Sequence, residues 1–262
     1  MSFVPVSKSK HQGFGYENKL FYQYASNLGF IPLASTEINH AIKHGVVCFL
    51  KRDDGFQVGL LSGVTPNRNL LVHPKTGQFL MGYVPAVLRR YPFQLLNNDK
   101  NEQVLCVWDE EKNFKQGKGQ AVLDESGELT EHGQKLVTFL SQLENGMRLS
   151  EKLSDALADA GVLVPLPIQS KSPDDGSVTP LREDIYWVDQ DRLAELDGAL
   201  LQKWVKTGVM AFAFAHLASM DHMPKMTLLA ENYHKVLENM EPSKVDLDRL
   251  FEESDDDVLK FD

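Results

Sequence analysis

His216 and Ser219 lie three residues apart in the apolar stretch AFAFAHLASM. In a helix that spacing puts an imidazole and a hydroxyl on one face. Desolvation there would lower the histidine's pKa and leave a neutral ring able to act as a general base. These two residues are the catalytic candidates. No acid partner for them is recognisable in the sequence, and a buried histidine bonded to backbone is the commoner arrangement. A second chemistry is anion binding. Arg89, Arg90 and Tyr91 follow a short helical turn, with Tyr83 just upstream. Guanidinium forks can grip a carboxylate or phosphate bidentately. The plainer reading is that the arginines diverge, one pairing with an internal acid while the other meets water.

Glu37, His40 and His44 fall on one face of a short helix expected to run to about Lys43, capped by Ser35 or Thr36. One face is what metal ligation needs, yet EINHAIKH is not the H-E-x-x-H arrangement of a metalloprotease. None of the eight histidines has an acid two residues later, which disfavours a facial-triad iron site. There is no G-x-S-x-G, no G-x-G-x-x-G and no phosphate-loop lysine motif. No metal and no cofactor are expected.

Net charge is −10, and residues 241–262 carry nine acids against Lys244, Arg249 and Lys260, or −6, leaving −4 for the body. No basic face suggests nucleic-acid binding. In the acidic segment Leu247, Leu250 and Phe251 recur at i, i+3 and i+4. Such spaced anchors suit helix-in-groove docking onto a basic protein partner; the alternative is an inert solubilising tail.

The elements that must position these residues come from periodicity. VVCFLKR and FQVGLLSG, joined by Asp53-Asp54-Gly55, read as a hairpin. NLLVH, QFLMGYV and QVLCVWD extend an antiparallel, turn-rich sheet over about residues 46–108, interrupted by a helical turn from Pro85 to Arg90. Residues 1–18 read as a loose arm. From Thr130 the period becomes helical: one helix capped by Thr130 and ended by Asn145-Gly146, a second capped by Ser150 and closed by Gly161. VLVPLPI reads as an edge strand, QSKSPDDGSVTP as a loop, IYWVD as a strand. Helical patterns resume near Asp191, and residues 223–240 carry the clearest apolar stripe. The order helix, turn, helix, strand, loop, strand over Thr130–Val188 resembles a winged helix. Its second helix would carry Glu151, Asp155 and Asp159, which phosphates repel. Cys48 and Cys106 sit in apolar runs and read as buried thiols. No membrane span and no secretory leader are expected.

YVPAVLRRYPF (Tyr83–Phe93) resembles the most distinctive motif of the bacterial SapC family. IPLASTEI, GLLSGVTPNRNLLV, WDEE…GQAVLDESGELTEHG and MRLSEKLSDALADAGVL lie in the family's order, over roughly residues 14–230. The family name derives from surface-layer loci, and members resemble genomic companions of flavin-dependent halogenase-like proteins and cupin-type oxygenases. The resemblance implies accessory or tailoring work and assigns no catalytic residue. The expected fold is α+β: an N-terminal antiparallel sheet with a short leading helix, then a mainly helical C-terminal half. Residues 1–240 are expected to form a single domain, sheet-rich over 30–125 and helix-rich over 126–240, followed by the acidic tail. The expected function is a cytoplasmic accessory or binding protein that uses Tyr83, Arg89, Arg90 and Tyr91. The runner-up is an enzyme acting on a small anionic or peptide substrate alongside such a halogenase-like or oxygenase system. A protein partner is expected, with homodimerisation the less favoured alternative.

Overall fold

A computed structural model describes residues 3–17, 21–108, 114–172 and 175–238. The chain opens with β1 (Phe3–Pro5), α1 (Lys8–His11), β2 (Phe14–Tyr16) and β3 (Phe30–Pro32). A 3-10 turn, Ser35–Glu37, leads into α2 (Ile38–Ala41), β4 (Val47–Arg52) and β5 (Gly55–Leu61). Then come α3 (Ala86–Arg89), β6 (Phe93–Asn97), β7 (Gln103–Trp108), β8 (Phe114–Gln116) and β9 (Gln120–Ala121). The remainder is α4 (Glu131–Asp159), β10 (Leu163–Pro165), β11 (Ile168–Lys171), β12 (Val178–Arg182), β13 (Ile185–Val188), α5 (Gln190–Ala194), α6 (Gly198–Thr207), α7 (Val209–Ser219) and α8 (Met223–Glu238). This is an α+β architecture with antiparallel sheets. None of the described helices is long and apolar enough to cross a membrane.

The principal sheet has five strands in the order β10-β13-β4-β5-β3. Its β4–β5 hairpin turns through Asp53-Asp54, with Arg52 opposite Gly55. Gly55 takes φ +141° there, a conformation costly for any residue with a Cβ. Val47, Cys48 and Phe49 are all fully buried, because the sheet is covered on both faces. Val47 and Phe49, with Val58 and Leu60 opposite, pack with Leu157, Val209 and Phe212. The alternate residues Val46 and Cys48 pack with Ile185, Leu166 and Met226. Period two thus sends successive side chains into two different cores. Pro165 stands on the outermost strand, β10, where the missing N–H costs no ladder bond.

Several local readings give way to longer-range pairing. The amino-terminal arm is built into sheets: β1 pairs with β7, and β2 lies between β8 and β9. FQLLN, not among the strands expected from sequence, is β6 and pairs with β7. NLLVH and QFLMGYV contribute one isolated bridge, Val72 to Phe79. Leu70, Leu71 and Val72 are buried in succession, with amide bonds going to loop partners such as Ser62 O and Asn69 Oδ1. The expected loop 169–180 is largely the β11–β12 hairpin. The C-terminal half therefore supplies four strands, and β13 pairs directly with β4.

The largest correction is α4. The expected break at Asn145-Gly146 and restart at Ser150 are absent: one helix of 29 residues runs through both. At 1.5 Å per residue it is about 43 Å long. Thr130 does cap it, accepting from Gly133 N at 3.0 Å, and Gly161, at φ +70°, follows its end. Its first half packs Leu136 and Leu140 with Phe93 and Val107, while its second half sends Leu157 into the principal core. Between them it crosses residues 33–34 at close range. A Cβ on Gly146 would stand 2.8 Å from the Ala34 Cβ, and Ser150 Oγ donates to Leu33 O at 2.9 Å. The small residues that read as a stop are the crossing point. With one helix in place of two, the winged-helix-like arrangement disappears.

Candidate functional site

Glu37 closes the first turn after β3. Its carboxylate accepts from Ala34 N at 3.0 Å through Oε2. Through Oε1 it accepts from the Ala86 N–H at 2.7 Å and the Tyr83 hydroxyl at 2.6 Å. One carboxylate, 4% exposed, thus joins the 34–37 turn to the start of α3 through charge-assisted hydrogen bonds. Neither Ser35 nor Thr36 acts as the cap; Ala34 occupies that position.

Above this junction lies an open cleft of about 330 Å³. Its floor is Ala34, Ala86 and Leu143, which form a small apolar cluster of their own. Phe139 and Gln142 of α4 make one wall. Tyr83, Arg89 and His40 make the other, the His40 ring lying nearly parallel to Tyr83 at 5.6 Å. Burial, then the Glu37 hydrogen bond and charge, push the Tyr83 hydroxyl up to about 12, with Arg89 acting in the opposite sense. Tyr83 therefore stays a donor. Arg89 Nε donates to Val84 O at 3.1 Å, and its guanidinium lies over the Phe139 ring at 5.4 Å. Among the described residues Arg89 forms no ion pair.

The four motif residues separate into two pairs. Tyr83 and Arg89 line the cleft; Arg90 and Tyr91 do not. Arg90 reaches Glu144 at 3.7 Å, and burial lowers its pKa while Glu144 and Tyr24 oppose that shift. Tyr91 stacks on Tyr24 at 3.9 Å and 12° and meets Trp108 at 5.7 Å. Successive residues at the end of a short helix point apart, so the two guanidiniums do not converge on one anion.

His216 and Ser219 share a face, as their spacing implies, but that face is turned onto β4. His216 Nε2 accepts from Val188 N at 3.0 Å, which places the proton on Nδ1, donating to Val47 O at 2.7 Å. Burial brings its pKa down to about 4, the Val47 bond opposing. Ser219 Oγ accepts from Val47 N at 2.9 Å and donates to His216 O at 2.6 Å. The pair fastens α7 to β4 and β13, and neither residue lines the cleft. The one-face trio of Glu37, His40 and His44 is also broken. α2 ends at Ala41, His44 packs against Gly82, and Glu37 faces Tyr83. Leu247, Leu250 and Phe251 lie outside the described residues.

Nothing in the sequence marks Phe139, Gln142 and Leu143, because the helical periodicity of α4 carries core spacing and no signal of a cleft wall. Glu37 carries in the sequence only the pattern of a first-turn acid and of a one-face trio with His40 and His44. A family model described as SapC matches residues 6–226. No curated protein and no solved structure matches the chain.

Proposed function

We infer that this chain, which belongs to the SapC family, is a binding protein whose ligand occupies the cleft between the 34–40 turn, α3 and the middle of α4. The supporting observation is the Glu37 junction. Three donors converge on one buried carboxylate, so the cleft's floor and one wall are held in place before any ligand arrives. A pre-organised site saves the ordering cost that a mobile one carries. The same hydrogen bonds argue for binding without chemistry. Glu37 has three donors on its oxygens, and Tyr83 is held protonated, so neither is a free base. The volume falls at the small end of ligand pockets, roughly 300–1,000 Å³.

A fragment screen by heteronuclear NMR on the full chain tests this reading. Hits should perturb amides in 34–40, 86–89 and 139–143, and Gln142→Trp, an exposed position on the cleft wall, should abolish them. Hits confined to other surfaces, or undiminished in Gln142→Trp, would remove the cleft from consideration.

A further inference from the structure

We propose that the cleft takes a small carboxylic acid with an apolar body, its carboxylate gripped by Arg89 and its body laid along Phe139 and Leu143. This rests on the cleft being the ligand site and adds the chemistry of what enters it. Ten residues line the cleft; Glu37 and Arg89 are its charged members, and His40 is titratable. Glu37 already holds three hydrogen-bond donors. Arg89 differs. Its Nε is anchored on Val84 O, and the Phe139 ring supports its guanidinium plane. Among the described residues Arg89 forms no ion pair, and its guanidinium meets the neutral Tyr83 hydroxyl on the same wall, which leaves its charge without an acid. An anchored, planar fork is pre-organised for a planar two-oxygen acceptor.

Charge decides between acids. Glu37 and Arg89 carry opposite formal charges, so a single negative charge on the ligand meets Arg89. A second would have no cation of its own and would face Glu37. This favours a monoanionic carboxylate over a doubly charged phosphate. Ala86, Leu143 and Phe139 offer apolar contact next to the fork, while Thr36 and Gln142 at the exposed rim can bond a neutral polar substituent. The modest volume favours a free acid over the end of a peptide.

The test uses the full chain with 3-phenylpropionate, its amide 3-phenylpropionamide, inorganic phosphate, and a tetrapeptide ending in phenylalanine with a free carboxylate. Affinity is read from the amides of Ala86 and Gln142. The acid should bind about tenfold to a hundredfold more tightly than its amide, the range for a hydrogen bond to a charged group. Phosphate and the tetrapeptide should bind more weakly than the acid. Arg89→Gln should lose the acid's advantage over the amide, and Arg89→Lys should recover part of it, with a cooperative melt retained in both although the bond to Val84 O and the Phe139 contact are lost. Equal binding of acid and amide, both lost in Gln142→Trp, overturns the carboxylate assignment and leaves the cleft a ligand site. Acid binding that survives Gln142→Trp overturns both. Phosphate or the tetrapeptide binding more tightly than the acid overturns the choice of a small monocarboxylate. No perturbation by the acid at high millimolar concentration overturns the inference by itself; fragments of other chemistry at the same amides would still support the cleft.

Discussion

His216 gives the sharpest test of the packing described here, because its contribution depends on pH in a calculable way. The ring is 1% exposed, and both nitrogens are bonded to backbone, Nε2 as acceptor and Nδ1–H as donor. Its pKa falls from an ordinary 6.5 to about 4 on folding. Between those values the unfolded chain binds the proton and the folded one does not, so stability rises with pH through this window and is lost as pH falls. A gap of about 2.5 units at about 1.4 kcal/mol each amounts to about 3 kcal/mol, fully present above pH 6.5. His216→Leu removes the proton linkage and leaves Val188 N–H and Val47 C=O short of a partner inside the core. At pH 7 that costs about 2–5 kcal/mol, at roughly 1–3 for each buried group stripped of its partner. Urea midpoints for both proteins, from pH 7.5 down to pH 4, should therefore converge, the wild type losing about 3 kcal/mol more than the variant. Other titrating groups such as Asp184, whose carboxyl Arg182 holds below its usual range, act on both proteins and cancel in the difference. Parallel profiles would refute the assignment, since they would mean that His216 titrates alike in the folded and unfolded chains.

Gly146→Ala sets local propensity against packing: in an exposed helix it stabilises by about 1 kcal/mol. Here the new methyl meets the Ala34 Cβ at 2.8 Å, so the melting temperature should fall, by an amount corresponding to about 1–3 kcal/mol. Glu37→Gln removes the charge from a carboxylate with three donors and turns one of its oxygens into a donor; urea denaturation should show a loss of about 2–4 kcal/mol. Tyr83→Phe, which deletes one of those donors, should cost less, about 1–2 kcal/mol by the same assay. Burial pushes the Cys48 thiol up to about 12 and raises that of Cys106, so at pH 8 a thiol reagent should label neither within minutes in the native protein and both after denaturation. Rapid native labelling of Cys48 would contradict its place between the two core layers.

What the sequence alone determined is what neighbouring residues can settle among themselves. Asp53-Asp54-Gly55 between apolar runs needs no distant partner to specify a turn, and it turns as read. Thr130 reaches an amide three residues on, Gly161 adopts the left-handed conformation that follows a helix end, and Pro165 restricts its own strand to an edge. Burial of both cysteines followed from the apolar runs around them. The SapC family is likewise legible, because its motif is a run of adjacent residues. Only the tertiary structure decided the rest. Asn145-Gly146 carries a stop signal worth about 1 kcal/mol, and it yields to a helix held at both ends by separate cores, where the missing side chain admits residues 33–34. Phe3–Pro5 has no strand pattern long enough to notice, and it becomes a strand because β7 has a free edge. The cleft gathers residues 34–40, 83–89 and 139–143, three segments up to a hundred positions apart. Each carries an ordinary reading of its own: a capping acid, a helical turn, an apolar stripe. Spacing along a chain orders residues on one element, whereas the Glu37 junction and the Arg89 fork depend on distances between elements, and those are set by how the α4 crossing packs.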